Sequence, residues 1–417
     1  MPEPATTSVQ SIERRNIILN IAEGAVYISS TAFVNPQTVV PALVARMGGT
    51  NVEIGMLGVL AYLGLYIPQL FAARYVETLR WKKLWSVSFG TAQRTMVLVM
   101  GLLVLLFGNW QTGNVLWSFL FLFFLNSVLA GINTPGWFDL FAKLTATKKR
   151  GRLVGIRNSL GGLGAFLGGF VLTWLLATFM FPVSYAVGFF IAFALQISSV
   201  FIQSHLVESE PSPVVPVRPL MSFLRELSVV LKSNPEFSRF LTASAFLVVA
   251  MVPSGFFTVY VLKDFHADES VVGQYTLAMV AIQVVSALAI GFITDRYGNK
   301  LAFICTSASM LLASTWAILA PSPAWFTLVY VFFGITLGAE MMVRFNMAIE
   351  YCPPELRSSF VGLMNTILAP CYLAGLAGGV ISDAVGYKGV FVLGILASLI
   401  GGYLLITKVR DPRQLTA

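Results

Sequence analysis

The chain of 417 residues is 57% hydrophobic and only 11% charged, with mean hydropathy +0.79 and a formal net charge of +8. That balance excludes a soluble domain, whose interior cannot take up so much apolar surface, and it points to an all-α integral membrane protein. Twelve apolar runs can be counted, each of about 20 residues or more, the length a helix needs to cross a hydrocarbon core about 30 Å thick.

In chain order, the first span runs from Asn16 to Arg46 behind a polar tail that carries Arg14 and Arg15. It reads as a retained anchor, because it is long and lacks a cleavage pattern. It contains Glu23 and, beyond its centre, Asn35-Pro36-Gln37; the proline frees a backbone carbonyl and predicts a broken helix with two amide side chains beside it. The second span, Val52 to Tyr75, leads into the basic run Arg80, Lys82 and Lys83. The third, Leu84 to Phe107, contains Arg94, and the fourth, Asn114 to Lys143, contains Asn126, Asn133, Trp137, Asp139 and Lys143. The fifth, Arg152 to Phe179, carries Gly161, Gly164 and Gly168 near one face, a spacing that lets two helices approach closely. The sixth runs from Ser184 to Leu206.

Prolines and mixed charges then interrupt the apolar pattern from Val207 to Asn234. This stretch divides the chain into an N-terminal half (1–206), a linker (207–234) and a C-terminal half (235–417). Within the linker, Pro219 to Lys232 places Leu220, Phe223, Leu224, Leu227 and Leu231 on one face and predicts an amphipathic helix on the cytoplasmic membrane surface. The remaining spans are Pro235 to Leu262, Ser270 to Ile293 with Gln283, Leu301 to Leu319, Ala324 to Ile349 with Glu340 and Arg344, Ser359 to Val385 with Asn365 and Tyr372, and Gly389 to Thr407.

The 27 Lys and Arg residues sit mostly in alternate loops. With the first residues cytoplasmic, only Arg46, Lys263 and Lys388 fall in outer loops, so both termini are expected in the cytoplasm and the basic charge reports topology rather than a nucleic-acid partner. The three cysteines, Cys305, Cys352 and Cys371, and the two histidines, His205 and His266, form no disulfide framework, metal spacing or catalytic cluster. No cofactor and no metal are expected.

The halves carry similar signals. Arg150-x-x-x-x-Gly155-x-x-Asn158 answers Arg357-x-x-x-x-Gly362-x-x-Asn365, and Arg74-Tyr75 answers Arg296-Tyr297. Between the eighth and ninth spans, GFITDRYGNK supplies Gly291, Asp295, Arg296, Gly298 and Lys300. This loop resembles the Gly-x-x-x-Asp-Arg-x-Gly signature of the major facilitator superfamily; the first copy is degenerate, with Gln69, Ala73 and Val76 replacing the glycine, aspartate and second glycine. The stripe LGGLGAFLGG also resembles the family's antiporter motif at Gly164, Gly168 and Gly169, with Ala165 in place of its proline. The resemblance implies twelve transmembrane helices in two pseudo-symmetric six-helix bundles, with the first, fourth, seventh and tenth helices walling a central cavity. It also implies that the signature loop latches one conformation, through Asp295 at the start of the fifth helix and Arg296 with an acid such as Glu350.

A charge inside a span costs roughly 2.5–3.5 kcal/mol on insertion scales and asks for a partner. Glu23 and Glu340 on the implied cavity walls are candidates for substrate binding or proton coupling, since a carboxylate in a partly desolvated site holds a proton more readily. Arg344 lies one turn from Glu340. Asn35, Gln37, Asn126, Asn133, Trp137, Gln283, Asn365 and Tyr372 are candidate lining residues. Arg94 is expected to be structural, paired with Glu23 or Asp139, and Asp139 with Lys143 reads as an intrahelical pair. No Gly-x-x-x-x-Gly-Lys-Ser/Thr loop is present, so an ion gradient rather than ATP is the expected energy source, and no enzyme constellation is found. The expected function is secondary active transport of a small-molecule substrate by alternating access, with protons as coupling ion. Export by antiport is the first reading and uptake of a polar solute by symport the second, with a non-transporting membrane sensor a third. The expected setting is a bacterial cytoplasmic membrane, with the lipid bilayer as partner and a monomeric state.

Overall fold

The computed structural model of the protein describes residues 4–110, 112–212, 214, 234–352 and 357–414; the amphipathic helix expected at Pro219 to Lys232 lies outside them. Among the described residues there are helices and no strands. Eleven helical stretches among the described residues are long and apolar enough to cross a membrane. The first expected span is built differently, as α1 (Pro4–Ser30) and a short α2 (Val39–Arg46). Helix begins well ahead of the expected Asn16, and Glu13 on this early part pairs with Lys149 at 2.8 Å. The break falls where the sequence placed it. Asn35 Oδ1 accepts from the backbone N–H groups of Gln37 (2.9 Å) and Thr38 (3.2 Å), so the donors freed by the interrupted helix are satisfied locally.

The chain folds as two compact units, residues 1–34 with 64–217 and residues 35–63 with 218–417. The helix break at the first boundary lets α2 leave α1 and pack with elements of the second unit. The helix α3 (Asn51–Val76) crosses the second boundary at Gly64.

In the first unit, α4 (Lys82–Phe107) packs on α5 (Gly113–Leu144) and α7 (Val183–Ser204), while α1 packs on α6 (Thr147–Thr178) and α7. The glycine stripe of α6 lies on α1. A methyl group at Gly161 would sit 2.5 Å from Ile28 Cβ and one at Gly168 3.1 Å from Ala32 Cβ, so these glycines are what lets the two backbones approach. At one end of the unit, Glu208 accepts from the backbone N–H groups of Lys82 (3.0 Å) and Lys83 (2.9 Å) and pairs with Lys143 Nζ at 2.8 Å. An anion at the start of α4 is well placed against the helix dipole. Asp139 therefore does not form the expected pair with Lys143. It lies 3.7 Å from Lys82, because Lys143 is drawn to the buried Glu208.

The second unit comprises α8 (Pro235–Ala250), α9 (Ser254–Asp264), α10 (Ser270–Tyr297), α11 (Asn299–Leu319), α12 (Pro323–Glu350), α13 (Arg357–Leu368), α14 (Ala374–Val385) and α15 (Tyr387–Thr407). Helices α10 and α11 pack on α12, and α15 on α8 and α11. Phe257 lies at the centre, in ring contact with Phe326, Tyr330, Phe333 and Phe391. Tyr330 stacks on Tyr275 at 4.6 Å. Aromatic contacts of this kind add to the burial of apolar area.

Candidate solute-binding site

The charged residues that the sequence placed within spans come together differently from their expected pairings. In the first unit, Glu23 of α1 is 2% exposed and pairs with Arg157 of α6, whose Nη2 lies 3.1 Å from Oε2. Arg157 was not among the residues singled out from sequence. It follows the basic run Lys148, Lys149, Arg150 and Arg152 and is easily counted with that loop, yet it already lies inside the fifth span. A charge at that depth was the available signal.

Arg157 can reach Glu23 because it lies across α1 at Gly24, where a methyl group would coincide with its Nε. Its guanidinium sits over the Trp137 ring of α5, 4.5 Å from the centroid. Arg94 of α4 enters from another side. Its charge also acts on Glu23, it lies 4.8 Å from the Tyr27 ring centroid, and it donates to Gln93 Oε1 (2.8 Å) and the Gly90 carbonyl (3.2 Å). Arg94 is thus held by a ring, an amide and a carbonyl. Of the two carboxylates it was expected to pair with, Glu23 is in direct contact with Arg157 and Asp139 lies against Lys82. Asn133 of α5 lies beside Arg94: a methyl at Gly90 would be 3.3 Å from Arg94 Nη1 and 3.6 Å from Asn133 Nδ2. Asn126, two turns earlier on α5, has a buried Oδ1 with no hydrogen-bond partner among the described residues, as does Asn133.

In the second unit, Glu340 and Arg344 of α12 form the expected one-turn pair, with Nη1 3.0 Å from Oε1. Tyr372 stacks on Tyr62 at 4.0 Å, while Gln283 and Asn365 are half-buried on α10 and α13. The Asn35 side chain is used otherwise than as a lining, and Gln37 makes contacts through its backbone. The Asn35 side chain closes the break, and the Gln37 carbonyl accepts from Thr258 Oγ1 at 3.4 Å. Around them the segment 35–63 is tied into the second unit by Thr38 with Thr276 (2.6 Å), Arg46 with Glu269 (3.0 Å), and Asn51 with both Asp383 (2.8 Å) and Tyr387 (2.7 Å).

The signature loop joins α10 to α11. Gly298 adopts φ +97°, a conformation open to glycine and strained for other residues, and its N–H donates to the Thr294 carbonyl at 3.0 Å. Arg413 binds the end of α10 by donating to the carbonyls of Thr294 (2.7 Å) and Asp295 (3.5 Å), and Lys300 donates to the Ile406 carbonyl at 3.2 Å. Gly291 is half-buried, with room for a side chain. Arg296 does not meet Glu350. It lies over Tyr297, and Glu350 accepts from Asn299 at 2.7 Å.

A family model described as Major Facilitator Superfamily matches residues 24–262 and again residues 239–416. The chain belongs to the major facilitator superfamily. Solved structures of similar fold include the nucleoside transporter NupG (TM-score 0.63, 16% identity, 95% of this chain and 97% of that one). A POT family transporter in complex with 5-aminolevulinic acid superposes with TM-score 0.67 at 12% identity, over 97% of this chain and 96% of that one. At these identities the likeness is one of fold. Among curated relatives, the 4-hydroxybenzoate transporter PcaK of Acinetobacter baylyi is 34% identical over 160 residues, 36% of this chain and 34% of the relative. The niacin transporter NiaP of the same species is 27% identical over 122 residues, 29% of this chain and 28% of the relative. The chain thus spans about a third of the length of the curated relatives it matches. It is a membrane transporter of the major facilitator type, with ion pairs inside its spans at Glu23–Arg157 and at Glu340–Arg344.

Proposed function

We propose that the protein is a secondary active transporter that moves a small organic acid with protons across a bacterial cytoplasmic membrane by alternating access. The observation that carries this reading is that each unit holds an acid within its spans against an arginine, Glu23 with Arg157 and Glu340 with Arg344. Such groups are costly in a bilayer, and they suit a carrier whose carboxylate is charged when paired and protonated when the pair opens. The names of the two curated relatives support the cargo class, since 4-hydroxybenzoate and niacin are both carboxylic acids on a six-membered aromatic ring. The basic residues of the cytoplasmic loops support a topology with both termini inside.

The glycines of α6 bear on the choice of direction. Their use in packing on α1 accounts for the stripe without an antiport role, so symport of an anion with a proton is the favoured reading and export by antiport the second. Proteoliposomes loaded with buffers that set a pH gradient of either sign separate the two. Labelled 4-hydroxybenzoate or nicotinate accumulates in an alkaline lumen under symport and in an acidic lumen under antiport. Replacement of Glu23 or Glu340 by glutamine identifies the coupling acid, as loss of pH-driven accumulation with solute exchange retained. No flux of either acid under any gradient would sink the cargo reading, and flux indifferent to pH would sink the coupling.

A further inference from the structure

The cluster in the first unit has one more positive charge than negative. Arg94 is 5% exposed and Arg157 7%, and both act on the single carboxylate of Glu23. Asp139, the other acid of the spanning helices described for this unit, lies against Lys82 at 3.7 Å. Of the other described acids of this unit, Glu13 and Glu208 are paired with Lys149 and Lys143, and Glu77 and Glu210 lie outside the spanning helices. A guanidinium removed from water without a counter-charge costs several kcal/mol. Rings over both arginines lessen that cost by cation–π attraction, worth about 2 kcal/mol when desolvated, and do not remove it.

The donor inventory points the same way. The Nε–H of Arg94 and the Nε–H of Arg157 are both buried with no hydrogen-bond acceptor among the described residues, in a setting where buried donors are nearly always matched. Beside them, Trp137 and Asn133 lie one turn apart on α5, as do Glu23 and Tyr27 on α1. The site therefore offers two unsatisfied cationic donors, two aromatic rings and unpartnered amide oxygens at Asn126 and Asn133.

We infer that Arg94 and Arg157 form a binding site for one carboxylate of a flat, singly charged acid, in the neighbourhood of Tyr27 and Trp137. The inference rests on the transporter reading above and adds to it the site and the charge of the cargo. A monoanion supplies the missing counter-charge. A neutral amide of the same shape does not, and a dianion leaves the site with an excess of negative charge. The asparagine oxygens accept from a hydroxyl or ring N–H on the body of the monoanion. Glu23, held by Arg157, sets the number of vacant charges at one.

The test is titration of the purified protein in lipid nanodiscs with benzoate, 4-hydroxybenzoate and nicotinate, and with benzamide and nicotinamide as neutral matches. The acids should bind and raise the melting temperature, and the amides should do neither. Arg94→Gln should weaken acid binding on the order of 100-fold, as loss of a buried charge partner does. Asn133→Asp places a carboxylate beside Arg94. It should raise the melting temperature of the unliganded protein while abolishing acid binding, an outcome that a folding defect cannot imitate. Amides that bind as tightly as acids would overturn the inference, as would Arg94→Gln and Asn133→Asp proteins that bind acids like the parent. Acid transport persisting in either variant with unchanged affinity would remove the site and leave the transporter reading intact. Failure of all three acids to bind the parent protein would remove the site, and flux of another solute in the same vesicles would show that transport itself stands.

Discussion

Replacing Arg157 by methionine keeps much of the side chain's volume and leaves Glu23 buried with no direct ion-pair partner. At the observed 3.1 Å, Coulomb attraction amounts to about 5 kcal/mol at an effective dielectric constant of about 20. Part of this is offset by the desolvation of Arg157, and removing one member of a buried pair costs about 3–5 kcal/mol in comparable cases. Arg94 remains close enough to act on Glu23, which favours the lower end of that range. For a folding unit of 150–250 residues each kcal/mol moves the midpoint by about 2–4 °C, so Arg157→Met should lower the melting temperature on the order of 10 °C. Glu23→Gln in the same background removes the stranded charge and should restore much of the loss. The assay is thermal unfolding in detergent by tryptophan fluorescence on the two single variants, the double variant and the parent. A double variant no more stable than Arg157→Met, or an Arg157→Met protein that melts with the parent, would refute the account of a mutually dependent buried pair.

Gly24→Ala puts a methyl group where Arg157 Nε lies, so it should push the guanidinium off Glu23 and cost about 1–3 kcal/mol by overpacking; solute affinity and melting temperature should fall together, whereas unchanged values would show that Arg157 can be accommodated elsewhere. Glu208→Gln removes the anion shared by the start of α4 and Lys143 and should destabilise the first unit by about 1–3 kcal/mol, read as faster hydrogen exchange at the amides of Lys82 and Lys83. In the loop before α10, hydrogen bonds from Ser270 hold the Asp268 carboxyl below its usual range. The contribution is present above the unfolded carboxylate range and is lost as pH falls through the folded value, so a thermal-melt pH series on Asp268→Asn should differ from the parent at neutral pH and converge with it in acid.

Much of this protein was determined by its sequence alone. Apolar runs of membrane-spanning length, the alternation of basic loops and the Asp295-Arg296-x-Gly298 turn sufficed for the fold, since each depends on local composition or on a few adjacent residues. The break at Asn35-Pro36-Gln37 was legible for the same reason, as was the Glu340–Arg344 pair, because residues four apart on a helix are neighbours whatever surrounds them. The choice of partners between helices was decided by tertiary structure. Glu23 meets Arg157 across more than a hundred residues of chain, at a point where Gly24 leaves room on α1, and Lys143 prefers Glu208 to the nearer Asp139. Helix rotation and the approach distance of packed backbones set such contacts, and neither is written in the spacing of one helix. The excess positive charge at Arg94 and Arg157 became visible only when three helices, far apart in sequence, brought two guanidinium groups to one carboxylate.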